Sequence, residues 1–224
     1  LGEEHKLNTT FNQSMNDDGE IISKSVSNLS EVLIDKNSLT TNTVKVVSDR
    51  PPPITENFRS SDFIRIGSFG YPLPDATLAI VNPDTCYLSG VMEVGEIWID
   101  SVSLPGGFWG LPTGTENIFH ARCRDHEGVL DLEFLRTGLL GFTYNGKVYV
   151  LGLYEDRLRQ RVTWIDKKAI KPDDIQYKYH YSDHIAYTLA RAIPQRRVSD
   201  SSTFDVLINN EYLPVVVIES AFAT

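Results

Sequence analysis

A β-rich α+β fold is predicted by three features of the chain. Short runs rich in β-branched and aromatic residues recur between Glu31 and Leu151, among them EVLID (31–35), ATLAIV (76–81) and GEIWID (95–100). The segment FTYNGKVYV (142–150) reads as a hairpin, because Asn145–Gly146 tolerate the positive φ angles of a two-residue type I′ turn. Beyond about residue 156 the pattern changes. There SDHIAYTLARAI (182–193) sets Ile185, Leu189 and Ile193 four residues apart behind Ser182, an expected N-cap, so an amphipathic helix is predicted.

The elements follow in order. Residues 1–30, as in KLNTTFNQSMNDDGE, are too polar to offset their ordering entropy by burial, so they read as a mobile polar insertion or loop. EVLID and TVKVV (43–47) are strand-like, with a turn-like KNSLTTN (36–42) between them. RPPPI (50–54) breaks regular structure, since consecutive prolines remove backbone donors. After Leu111, PTGTENIF (112–119) predicts one or two helical turns with Thr as N-cap. FDVLINNEYLPVVVIES (204–220) predicts a second hairpin with Asn209–Asn210 at its tip. A division into 1–30, 31–151, 152–165 and 166–224 follows, the third being a boundary region and the fourth a small α+β unit.

Composition narrows the function classes. The 224 residues are 41% hydrophobic and 23% charged, as in a soluble globular protein. A net charge of −9 argues against a nucleic-acid binder, which needs clustered Lys and Arg for phosphate. No apolar run nears the roughly 20 residues of a membrane helix. Leu1 is neither an initiator Met nor the start of a signal peptide, so a piece of a longer, intracellular, cytoplasmic polypeptide is expected, peripheral to organelle membranes at most. Cys86 and Cys123 are too few for a structural zinc site and read as free thiols in a reducing compartment.

Candidate chemistry is sparse. His180 and His184 have the four-residue spacing of metal ligands on one helix face, but His180 precedes the expected cap and no third ligand stands near. The acidic residues of CRDHEGVLDLE (123–133) read as an exposed loop entering a strand rather than an acid–base pair. The arginines of PQRRV (194–198) read as a solvated face. GxxxxGK[ST], HExxH and GxSxG are absent, and residue types alone name no function.

The order of several stretches says more. GSFGYPLPDATLAIVNPDT (67–85) resembles the glycine–proline strand entry of adenylate-forming enzymes. VGEIWIDSVSLPGGFWGLPTGTENIF (94–119) resembles their Gly-Glu-Ile strand and Gly-aromatic-Trp turn. FLRTGLLGF (134–142) stands where that superfamily has a Thr-Gly-Asp turn, and VYVLGLYEDRLRQR (148–161) falls on its Gly-Arg hinge stretch. VLIDKNSLTTNTVKVV (32–47) is similar to a segment of fatty acyl-AMP ligases rather than acyl-CoA ligases. The wording of FHARCRDHEGVLDLEFLRTGLLGF, VLGLYEDRLRQRV and EYLPVVVIES resembles the fatty acyl-AMP ligase-like domains of the disco-interacting protein 2 family, in its fungal form.

The resemblance implies a fragment of the adenylate-forming fold, comprising the C-terminal β-subdomain of the large domain and the start of the small α+β domain. Residues 152–165 then carry the hinge. It implies ATP with Mg2+ as cofactor, a fatty acid or acyl-lipid as substrate, acyl-adenylate and pyrophosphate as products, and other domains of the same polypeptide as partners. The phosphate loop would lie upstream of Leu1, and the lysine that steadies the adenylate beyond Thr224. Thr137 and Gly138 match the nucleotide turn, but Leu139 stands where the resemblance places the ribose-gripping Asp. Leu153 stands where it places the ribose-reaching Arg. Glu155 takes the hinge position, followed by Asp156, and Arg161 is left as a phosphate or partner contact, its following Gly replaced by Val162. A degenerate nucleotide site is therefore expected, with an active ligase of altered ribose site and a purely structural module as the alternatives.

Overall fold

The computed structural model describes residues 14–15, 21–22, 30–51, 62–161, 177–193, 198–209 and 211–220. Within the first thirty residues, β1 (Ser14–Met15) pairs antiparallel with β2 (Ile21–Ile22). The centre of the fold is a seven-stranded sheet of order β4-β3-β5-β9-β8-β7-β6. Its strands are β3 (Glu31–Asp35), β4 (Val46–Ser48), β5 (Phe63–Gly70), β6 (Ala76–Val81), β7 (Gly95–Ser101), β8 (Leu135–Tyr144) and β9 (Lys147–Leu153). Every neighbouring pair in it runs antiparallel.

Hydrophobic alternation and turn chemistry account for this register. Asn145 and Gly146 take φ values of 50° and 74°, so the β8–β9 hairpin closes with the two left-handed residues its sequence predicts. Across it, Phe142 and Tyr149 stack with ring centroids 5.1 Å apart. Around them Val32, Ile34, Leu39, Ile66 and Leu140 form one buried cluster. A second gathers Ala79, Val81, Cys123 and Phe134 about Trp98, which is wholly buried. Burying an aromatic of that size contributes about 3 kcal/mol.

Two short helices differ from expectation. KNSL is the single turn α1 (Lys36–Leu39), not an open turn, because the Asp35 carboxylate accepts from Asn37 N at 2.9 Å and caps it. In α2 (Pro112–Phe119) neither threonine is the N-cap. Leu111 holds that position, Pro112 starts the helix, and Thr115 Oγ1 instead accepts from Phe108 N at 2.9 Å.

Beyond Leu153 the chain leaves the seven-stranded sheet. β10 (Arg157–Arg161) pairs antiparallel with β11 (Tyr177–Tyr181), which runs straight into α3 (Ser182–Ala192). Ser182 is therefore the first helical residue rather than the cap; Tyr181 is the cap residue, and Ser182 N donates to Asp156 O at 3.1 Å. β12 (Val198–Ile208) and β13 (Glu211–Ser220) form the second hairpin, which lies against β10 and α3. Asn209, at its tip, has a φ of 51°.

Two glycines let the sheet centre close. Gly95 and Gly141 face each other across β7 and β8. A Cβ on Gly141 would meet the Tyr149 carbonyl and lie 2.7 Å from Ile97 Cδ1. Gly141→Ala is predicted to destabilise by roughly 1–3 kcal/mol through overpacking. Gly67→Ala, with nothing within 4 Å of the added Cβ, is predicted to stay within about 0.5 kcal/mol of wild type in urea unfolding.

Candidate functional site

The Thr137–Gly138 segment is not a turn between strands but a bulge inside the continuous strand β8. Glu96 pairs with Leu140 and Trp98 with Arg136, so Thr137, Gly138 and Leu139 stand opposite Ile97 alone. Gly138 reaches a φ of 72°, a conformation that favours glycine. Thr137 Oγ1 donates to Ile97 O at 2.6 Å and accepts from Leu139 N at 3.1 Å. Beneath the bulge, the buried Glu96 carboxylate accepts from Gly138 N at 3.0 Å and from Arg136 Nε and Nη2 at 3.0 and 2.7 Å. Arg136 in turn lies over the Trp98 ring, 5.2 Å from its centroid. Chain-internal bonds thus occupy the polar side chains that shape the bulge.

The structure brings together the two leucines of the expected nucleotide site. Leu139 and Leu153 are direct cross-strand partners on β8 and β9. Leu139 is half-buried and Leu153 exposed, and neither side chain can donate or accept a hydrogen bond. Next to them Tyr154 N donates to Gly138 O at 2.8 Å. The expected hinge residues Glu155 and Asp156 occupy a tight turn closed by Arg157 N donating to Tyr154 O at 3.2 Å. Arg161 pairs with Glu211 of β13 at 3.3 Å, inside the C-terminal part of the chain.

Four residues not singled out from the sequence meet beside that turn. The Asp84 carboxylate accepts from the Tyr154 hydroxyl at 2.7 Å, from Arg159 Nη2 at 2.8 Å and from Arg157 Nη2 at 2.9 Å. Burial alone would raise the Asp84 pKa, but the Tyr154 hydroxyl and the two guanidiniums outweigh it and hold the carboxyl below its ordinary value. The same node lifts the Tyr154 phenol, chiefly by burial and the Asp84 bond. A signal was available in RLRQR, whose alternation sets Arg157, Arg159 and Arg161 on one strand face.

The remaining candidates separate. His180 lies on β11, with its Nε2 2.9 Å from Gln160 Oε1, while His184 packs on the Tyr181 ring from α3. Burial depresses the pKa of both imidazoles. Among the described residues no three His, Cys, Asp or Glu side chains gather as metal ligands. In the acidic stretch, Asp125 caps its own turn by accepting from Glu127 N and Gly128 N, and Glu133 pairs with His120 and Arg122. Cys86 and Cys123 are free thiols in or against one buried cluster, and burial pushes the Cys123 thiol up. Residues 194–197 of PQRRV lie outside the described residues.

The fold and these sequences have known counterparts. A family model described as "Meiotically up-regulated gene 62 protein-like domain" matches residues 154–224. An uncharacterized protein of Schizosaccharomyces pombe is 47% identical over 87% of this chain and 13% of its own length. The "Homeostatic regulator of DAG" of Saccharomyces cerevisiae is 34% identical over 44% of this chain and 8% of its own. A medium-chain-fatty-acid–[acyl-carrier-protein] ligase of Moorena producens is 31% identical over 68% of this chain and 23% of its own. The chain thus spans less than a quarter of the length of each of these curated relatives. Among solved structures, one from work on fatty acyl-adenylate ligases of E. coli and L. pneumophila aligns with a TM-score of 0.55 and 19% identity, over 87% of this chain and 28% of that one. The chain has a β-rich α+β fold, and over most of its length that fold resembles part of the fatty acyl-adenylate ligase structure.

Glu96→Ala would strand the Arg136 charge and the Gly138 amide, and is predicted to destabilise by about 3 kcal/mol or more in denaturant unfolding. Glu96→Gln, which keeps an acceptor for Gly138 N, should lose less. The depressed Asp84 pKa means that its stabilisation is present above the unfolded value of about 3.9 and fades as pH falls through the lower folded value. The gap between wild type and Asp84→Asn in the local stability of β10 and β11, taken from amide protection factors, should therefore be flat from pH 7 to about 5 and shrink below about 4.

Proposed function

We propose that this chain belongs to a fatty acyl-AMP ligase-like domain whose grip on the nucleotide is reduced, within a multidomain protein of fatty-acid and diacylglycerol metabolism. Residues 31–151 form the end of the large domain, 152–165 the hinge region and 166–224 the start of the small one. The fold likeness supports the domain assignment, and the resemblance to the yeast diacylglycerol regulator supports the lipid setting. The tandem domains of the disco-interacting protein 2 family, in fungal form, fit both the quoted motifs and the short share of each relative that this chain covers.

One observation carries the reduced grip. Leu139 and Leu153, the positions assigned to the ribose-holding Asp and Arg, face each other as an apolar cross-strand pair. Two charge-assisted bonds are lost there, each contributing roughly 1.5–3 kcal/mol, so ATP binding falls by a factor of about 100 or more. Fatty acid and ATP with Mg2+ remain the substrate and cofactor class the domain would take. Thr137, Gly138, Leu139 and Leu153 mark where the nucleotide would lie.

The test is calorimetry with MgATP and ATP–pyrophosphate exchange with a long-chain fatty acid, on the full-length polypeptide. Weak ATP binding and exchange at background level are expected, whereas tight binding with steady exchange would establish an active ligase. Leu139→Asp combined with Leu153→Arg is predicted to tighten MgATP binding by up to about 100-fold. An unchanged affinity would refute the ribose assignment.

A further inference from the structure

We infer that Asp84, Tyr154, Arg157 and Arg159 form a clasp that fixes the β10–β11 unit in one orientation against the seven-stranded sheet. Only the naming of Glu155–Asp156 as a hinge rests on the proposed function; the clasp itself stands on its contacts.

The fixed jaw is the loop between β6 and β7. Asn82 Oδ1 accepts from Asp84 N at 3.0 Å and from Thr85 N at 3.3 Å, an Asx turn that sets the Asp84 carboxylate in place. Asn82 O accepts from Cys86 N, and Asn82 N donates to Tyr87 O, both at 2.8 Å, which stiffens the loop base. The other jaw lies on and beyond the Tyr154–Arg157 turn. Both Asp84 oxygens are used, and Arg159 Nη2 also donates to the Tyr154 hydroxyl at 2.9 Å.

Arg157 gives the clasp its strength. Its side chain is 2% exposed, and its guanidinium carbon lies 5.1 Å from the Tyr154 ring centroid and 4.4 Å from that of Tyr179. A guanidinium so buried needs a carboxylate, because an unpaired charge in that setting is strongly unfavourable. Any rotation about Glu155–Asp156 would draw Arg157 and Arg159 away from Asp84. Arg159 N also donates to Asp205 Oδ2 at 3.1 Å, so the β12–β13 hairpin is tied to the same jaw. Two further contacts agree: Tyr179 N donates to Thr40 O at 2.9 Å, and Tyr181 belongs to the buried cluster of Ile34 and Leu39. A hinge that swings freely has no use for a buried guanidinium pinned across it.

The test is amide hydrogen exchange, read by mass spectrometry on the full-length polypeptide without nucleotide. In Asp84→Ala, amides of β10 and β11 should exchange at least ~10-fold faster, while those of β7 and β8 keep their wild-type rates. Tyr154→Phe, which removes one hydroxyl and no charge, should give a smaller acceleration confined to the same strands. Unchanged rates in β10 and β11 would overturn the clasp. So would acceleration spread equally over β7 and β8, since Asp84 would then support the fold as a whole. Tight ATP binding by the wild type would sink the reduced-grip reading and leave this readout untouched.

Discussion

A single buried carboxylate decides the local geometry on which the candidate site depends. Glu96 sits under the bulge of β8 and accepts from the amide of Gly138 as well as from Arg136. Without an acceptor at that point, the Gly138 N–H would be a half-buried donor with no protein partner, which would disfavour the three-against-one mismatch with Ile97. Because the bulge persists, β8 shifts register there. Against β9 the register is set separately: one extra residue, Leu151, brings Leu139 opposite Leu153, and Tyr154 N bonds to Gly138 O as the chain leaves the sheet. The bulge thus holds the Gly138 carbonyl that receives Tyr154 N, at the start of the turn that leaves the sheet.

What could be read from the sequence is what local chemistry determines. ATLAIV and GEIWID formed strands as their β-branched and aromatic residues favour, and the Asn145–Gly146 hairpin closed as its turn residues require. Elements fixed by distant partners were hidden. Thr137–Gly138 looks like a turn because glycine after a polar residue suits one, yet the glycine serves a bulge whose acceptor lies more than forty residues earlier in the chain. Ser182 looks like an N-cap because of its residue type. A β-strand running directly into the helix displaced it, and its amide went to Asp156 instead. KNSL was hidden by its polarity, although Asp35 before it is an ordinary capping residue.

The candidate site divides in the same way. Motif order alone assigned Leu139 and Leu153 to the expected ribose positions, but that the two are cross-strand partners needed the register. The Asp84 node joins residues seventy or more positions apart, and no spacing in the sequence signals such a meeting. Its arginines were visible only as an alternating strand face. Its acceptor, in NPDT, reads from the sequence as one more turn residue.

Taken physically, the apolar pair and the Asp84 node point the same way. A site that holds a nucleotide and reorganises about it needs ligands for the ribose and a connection free to turn between two orientations. On the proposed reading, the first requirement meets two leucines. The second meets a short turn whose following strand is anchored by a buried guanidinium between two aromatic rings. Neither feature compensates for the other, because tightening the turn does nothing for a ribose and leucines do nothing for a hinge. On that reading, their joint presence favours fixed geometry over motion around a ligand.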